Sequence, residues 1–99
     1  MIVDHRTYNI HPRMTAKFMA VFMEIAVPIM TEYFGKPVGV YLVEVGPQNQ
    51  LVHMWQYESY GDMETKRAAR DKDPRWAGYL QKTEGLLVSQ ETKIIRSKI

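Results

Sequence analysis

The chain has 99 residues, of which 45% are apolar and 24% charged, with a formal charge of +2; these are the proportions of one soluble globular domain, not of a disordered chain. So small a charge, on basic residues scattered apart from one helix, excludes the basic face that nucleic-acid binding requires. The absence of cysteine excludes disulfides, thiolate nucleophiles and cysteine-ligated metal centres, leaving chemistry to His, Tyr, Arg, Asp and Glu.

The first segment, residues 2–10, is rich in β-branched and aromatic side chains and reads as a strand. At period two, Asp4, Arg6 and Tyr8 share a face, so titratable groups stand where a core strand is ordinarily apolar. No basic segment ahead of an apolar run is seen, so a secretion leader is not expected and the expected location is cytoplasmic. His11-Pro12 marks a turn into a helix over about residues 14–34. Its stripe of Phe18, Val21, Phe22, Ile25 and Ile29 is widened by Met19, Met23, Ala26, Met30 and Tyr33, more than one sheet face covers. Pro28 removes the bond to the Glu24 carbonyl, which predicts a kink, and Gly35 supplies a left-handed stop. Glu24 and Pro28 also break up the longest apolar region, so no membrane insertion is expected.

Residues 37–46 are almost free of polar side chains and read as a second strand, joined by GPQNQ to a third over residues 51–58, a hairpin pattern. On the third strand His53, Trp55 and Tyr57 share a face. Ser59, with Asp62 three positions on, resembles a capping box for a helix to about residue 71, and Asp73-Pro74 opens a shorter helix with Trp76, Tyr79 and Leu80 on one side. After Gly85, residues 86–96 read as the last strand. A β-α-β-β-α-β order in one domain over residues 1–99, with right-handed crossovers, arranges the strands antiparallel as 4-1-3-2 with the helices on one face. The two strands bearing polar groups then lie side by side at the centre. The other face is left bare, and a second copy packed sheet to sheet would cover it, which predicts a homodimer.

The segments HRTYNI, GPQNQLVHMWQYES, RAARDKDPRWAGYL and LLVSQETKII, in that order, together resemble the NIPSNAP family. The resemblance covers nearly the whole chain and implies an α+β, ferredoxin-like fold that forms a dimeric α+β barrel. It implies a fold and a homodimer more than an activity. The wider fold group includes cofactor-independent monooxygenases, haem-degrading enzymes and small isomerases, a warrant by analogy only.

Each candidate residue has a structural and a functional reading. Arg6 pairs with Asp4 or meets a ligand bearing an anion or carbonyl, with Tyr8 beyond it. His53, beside Trp55 and Tyr57, is a hydrogen-bonded core residue or a general base against a flat apolar wall, and is the candidate catalytic residue. His5 and His53 on neighbouring strands lack a carboxylate at ligand spacing, so neither metal nor cofactor is expected. Asn49 makes an Asx-type turn or touches a ligand. Arg70, with Arg67 three residues before it, lies on a helix of mixed charge and either is solvated or binds an anion. Trp76 and Tyr79 cap the core or the dimer seam, Trp76 being also a ligand-wall candidate.

These residues predict a homodimer that binds a small hydrophobic or aromatic molecule between sheet and helices. The alternatives are a cofactor-independent monooxygenase or isomerase acting on an aromatic or quinone-like substrate, and a purely structural or interaction module with a filled interior. Whether the chain is an enzyme is left open by the residues themselves.

Overall fold

A computed structural model describes residues 1–99. Four strands, β1 (Ile2–Ile10), β2 (Gly39–Leu42), β3 (Gln50–Tyr57) and β4 (Leu87–Arg96), form one sheet in the order β2-β3-β1-β4. All neighbours are antiparallel, and β1 pairs with β3 so that Arg6 stands opposite His53 and Asp4 opposite Trp55. This is the expected 4-1-3-2 arrangement, with both polar-bearing strands central.

Helices α1 (Thr15–Val21) and α2 (Val27–Phe34) are joined without a break by a π-helical turn (Phe22–Ala26). The proline effect takes a different form from the expected kink. Pro28 cannot donate to the preceding turn, and the helix widens just ahead of it, with the Val27 N–H reaching back to the Phe22 carbonyl. The wider turn keeps Phe22 and Ala26 pointing inward, fully buried. Gly35 ends α2 at φ 88°, where a side chain would be strained.

Helix α3 (Tyr60–Asp71) is capped as expected: the Ser59 hydroxyl accepts from the Asp62 N–H at 3.1 Å, and the Asp62 carboxylate accepts from the Glu58 N–H at 3.0 Å. Asp73 caps α4 (Pro74–Lys82) by accepting from the Arg75 N–H at 2.9 Å. It also accepts from the Tyr33 hydroxyl at 2.9 Å and from the Arg75 guanidinium, which in turn reaches Glu32, so α4 is tied to α2. Strand β2 is shorter than the ten residues its composition suggested. It runs for four residues, because beyond Val43, whose N–H still reaches the Gln50 carbonyl at 2.9 Å, the chain bends away through Gly46 and leaves Val45 in solvent.

Burial shows which face the helices cover. On β3, Leu51, His53, Trp55 and Tyr57 are buried and alternate with less buried neighbours. Together with Ile2 and Ile10 of β1 and Phe18, Phe22, Ala26, Met30 and Phe34 of the long helix, they make the core. The opposite face has no cover. Its rows run Tyr41, Val52, Thr7, Glu91 and Gly39, Met54, His5, Lys93 across the four strands, closed at one end by a chain of hydrogen bonds from Gln50 to Asn9 to Ser89, each of 3.0 Å. No helix is long and apolar enough to cross a membrane.

Candidate functional site

The polar residues singled out in β1 and β3 meet the helices in one buried layer. The Arg6 guanidinium donates to both oxygens of Asp4, its Nε lying 3.1 Å from the nearer one, so the local ion pair holds. Burial works against the charged guanidinium, but the hydrogen bonds and charge of Asp4 outweigh it and hold its pKa above the ordinary value. Arg6→Ala should lower stability by ~2 kcal/mol in urea unfolding, less than the ~3–5 kcal/mol of a fully buried pair, because the Arg6 side chain keeps 15% exposure. A loss near zero would show that Asp4 finds other partners.

His53 is 1% exposed and enclosed by rings. Tyr8 meets it edge-on at 4.6 Å between centroids, and Phe22 at 5.0 Å. The Trp55 indole donates to its Nδ1 at 2.9 Å, while its Nε2 has no partner at all. An indole N–H only donates, so Nδ1 must be the accepting nitrogen and Nε2 carries the proton of the neutral ring. Burial, reinforced by the charges of Arg6, His5 and Arg70, pushes the pKa down to about 3. The geometry therefore favours the hydrogen-bonded core reading of His53 over the general-base one: the free nitrogen bears hydrogen, and the basic one is occupied. His53 is a neutral hydrogen-bond donor.

Tyr57 lies further along β3, edge-on to Phe34 at 5.5 Å, with its buried hydroxyl also unpartnered. Burial raises its pKa, so it too stays a neutral donor. The remaining candidates are taken up by structure. Asn49 sits at φ 59° and accepts from the Thr15 hydroxyl at 2.7 Å, while its carbonyl accepts from the Ile10 N–H, tying the hairpin to the start of α1 and not to its own turn. Arg70 is buried, paired with Asp71 at 2.8 Å, and lies over the rings of Trp76 at 4.3 Å and Phe34 at 5.3 Å. Trp76 completes this stack against Tyr79, with ring centroids 4.8 Å apart. No cluster of three or more His, Asp or Glu stands at metal-holding distance.

One surface recess was not revealed by the residue pattern. A groove of about 360 Å³ opens between the long helix and α4, lined by Glu24, Ile25, Pro28, Ile29, Arg75, Gly78, Tyr79 and Lys82. It does not reach His53, around which side chains are packed. Buried Tyr79 lines it, with its ring 6.4 Å from Phe22, and Phe22 in turn covers His53. Two aromatic rings thus lie between the groove and the His53 ring.

With the fold and this geometry in view, comparison with known proteins is decisive for ancestry. The NIPSNAP family profile matches residues 3–98. The chain belongs to the NIPSNAP family. A NipSnap homolog of Dictyostelium discoideum is 42% identical over 60 residues, 61% of this chain but only 27% of that protein. Among solved structures, a NIPSNAP family protein of unknown function from Agrobacterium tumefaciens superposes with a TM-score of 0.92 at 31% identity, covering 98% of this chain and 87% of that one. A mutant of the cofactor-independent oxygenase SnoaB from Streptomyces nogalater shares the fold, with a TM-score of 0.68 at 15% identity over 99% of this chain and 93% of that one. This NIPSNAP chain therefore has the ferredoxin-like α+β fold that its residues implied, and the oxygenase likeness extends to the fold alone. At the groove Tyr79 was legible as a helix-face aromatic, and behind it Phe22 as part of the long helix's apolar stripe; the π turn that carries Phe22 is what spacing does not announce.

Proposed function

We propose that this NIPSNAP chain is a homodimeric small-molecule-binding domain. Two copies pack through their bare sheet faces, and each takes a small hydrophobic or aromatic molecule between sheet and helices by way of the groove beside α4. The observation that carries the binding reading is the unpartnered, fully buried Nε2–H of His53 behind Phe22. A buried donor with no acceptor is uncommon, and a ligand oxygen is one means of satisfying it. Access requires the Phe22 and Tyr79 rings to swing aside, and π turns in helices are frequent where a helix serves a site.

The dimer is supported by area and composition. Four strands ~4.8 Å apart and about eight residues long at ~3.3 Å each present ~500 Å², so two faces together bury on the order of 1,000 Å², the lower bound of a specific interface. Val3, Val52, Met54 and the exposed Tyr41 and Ile95 supply its apolar centre. Sedimentation velocity at micromolar concentration should give a dimer, and Val52→Glu should shift it to a monomer. Binding is tested by following the amide resonances of Phe22, His53 and Tyr79 while 1-tetralone is added. Saturable shifts at these positions support a binder; a monomer whose resonances stay still would leave only the filled, structural module.

A further inference from the structure

We propose that the ligand is chosen by a bare hydrogen-bond acceptor, a carbonyl-type oxygen on an apolar body, held by the Nε2–H of His53, and that Trp55 is the positioning residue that fixes this preference. The inference deepens the binding reading above and rests on it. A neutral imidazole can present either a donor or an acceptor to a guest, and the hydrogen bond made by its other nitrogen decides which. Here the choice is removed. The Trp55 indole can only donate, and at 2.9 Å it occupies Nδ1, so the proton is held at Nε2 and the ring faces a guest as a donor.

The surroundings narrow the class further. Around His53 stand the rings of Tyr8, Phe22 and Trp55, with centroids at 4.6, 5.0 and 6.4 Å. These rings pack directly on the imidazole, so a guest enters only where Phe22 swings aside, and the rings that remain would border a flat apolar body whose oxygen alone needs a polar partner. A cationic amine is disfavoured by the positive field of Arg6 and Arg70, both of which bear on His53. It would also bring a donor against a donor. An alcohol accepts from Nε2–H but leaves its own O–H among rings, whereas a ketone or quinone oxygen has nothing left unsatisfied.

The test uses the full chain labelled with ¹⁵N and a matched pair of probes, 1-tetralone and tetralin, which differ by the carbonyl. The expected result is that 1-tetralone binds roughly 10- to 100-fold more tightly, the selectivity of one buried hydrogen bond. Long-range ¹H–¹⁵N spectra of the imidazole should place the proton on Nε2 before and after binding, with the Nε2 resonance moving on addition of 1-tetralone and hardly at all with tetralin. In Trp55→Phe the imidazole nitrogens should shift towards mixed tautomers and the preference should fall towards unity, a signature that mere loss of packing does not produce. Should that variant not fold, the wild-type ratio and nitrogen shifts decide alone. Equal affinities with an unmoved Nε2 would overturn the acceptor preference and leave an apolar binding site standing. No binding of either probe, to the wild type or to a variant with the space opened by Phe22→Ala, would remove the binding reading and this inference together.

Discussion

Phe22→Ala is expected to lower the folding free energy by about 3–5 kcal/mol while making the domain a better host for a small aromatic guest. Phe22 is 1% exposed, stacks on Phe18 at 5.7 Å, and covers His53 at 5.0 Å. Truncation removes the burial of a whole ring and leaves a void, because neighbours anchored on β1 and β3 cannot collapse fully into it. Against the ~5–15 kcal/mol of an ordinary domain the loss is large, yet it leaves a folded population to measure. The void lies behind Tyr79 and thus beside the groove next to α4. A guest such as 1-tetralone that fills it returns lost contacts, and at 100 times its dissociation constant it adds ~2.7 kcal/mol to stability. Urea unfolding of wild type and variant, with and without the probe, reads both effects. A variant destabilised as expected but indifferent to the probe would mean that groove and buried layer do not communicate.

The broad architecture was open to inference from residue pattern, because the signals that set it are local. Alternation in residues 2–10 and 51–58, the Ser59 and Asp73 caps and the glycine stop at residue 35 each act within a few residues of themselves, and the right-handed crossover rule converts their order into a strand order. The elements that departed from expectation were set by tertiary neighbours. Strand β2 reads as ten nearly apolar residues but pairs over only four, because the chain bends away through Gly46 beyond Val43. Pro28 announces a disturbance without saying whether the helix bends or widens, since that depends on what Phe22 and Ala26 pack against. Periodicity put Arg6, Tyr8, His53, Trp55 and Tyr57 on shared faces, where they are found together, but it could not assign their partners. That the Trp55 indole takes His53 Nδ1, converting a candidate base into a donor, is a matter of two side-chain rotamers on one strand. Asn49, Arg70 and Trp76 read first as a turn residue, part of a solvated helix face and a core or seam cap, with ligand contact second; their partners, Thr15, Asp71 and the Phe34 ring, are distant or ambiguous in the chain and could not be named from pattern.

The same His53 makes acid the domain's main vulnerability. In the unfolded chain its imidazole takes a proton near pH 6.5, whereas in the folded domain burial, then the charges of Arg6 and His5 on β1 and of Arg70 on α3, hold that step down to about 3. The folded-state value is depressed, so the unfolded chain binds more protons throughout this window. The contribution is therefore fully present above about pH 6.5 and is lost as pH falls towards 3, at ~1.4 kcal/mol per unit, or about 5 kcal/mol in all. Protonation at Nδ1 would also cost the ring its bond from the Trp55 indole and bury a charge beside Phe22 and Tyr8. Carboxylates contribute in the same direction, since Asp73 and Asp62 are held below their ordinary values, Asp73 chiefly by the Arg75 guanidinium and Asp62 by the Glu58 N–H. Those groups act at lower pH, so the interval from about pH 6.5 to 4.5 isolates the histidine, with an expected loss of ~2.7 kcal/mol. His53→Gln keeps an oxygen that can accept from Trp55 but removes the titration, so its stability should be nearly flat across that interval while the wild type declines. If both decline in parallel in urea unfolding at stepped pH, the buried imidazole is not the group responsible, and the enclosed, neutral donor at the centre of the site would have to be abandoned.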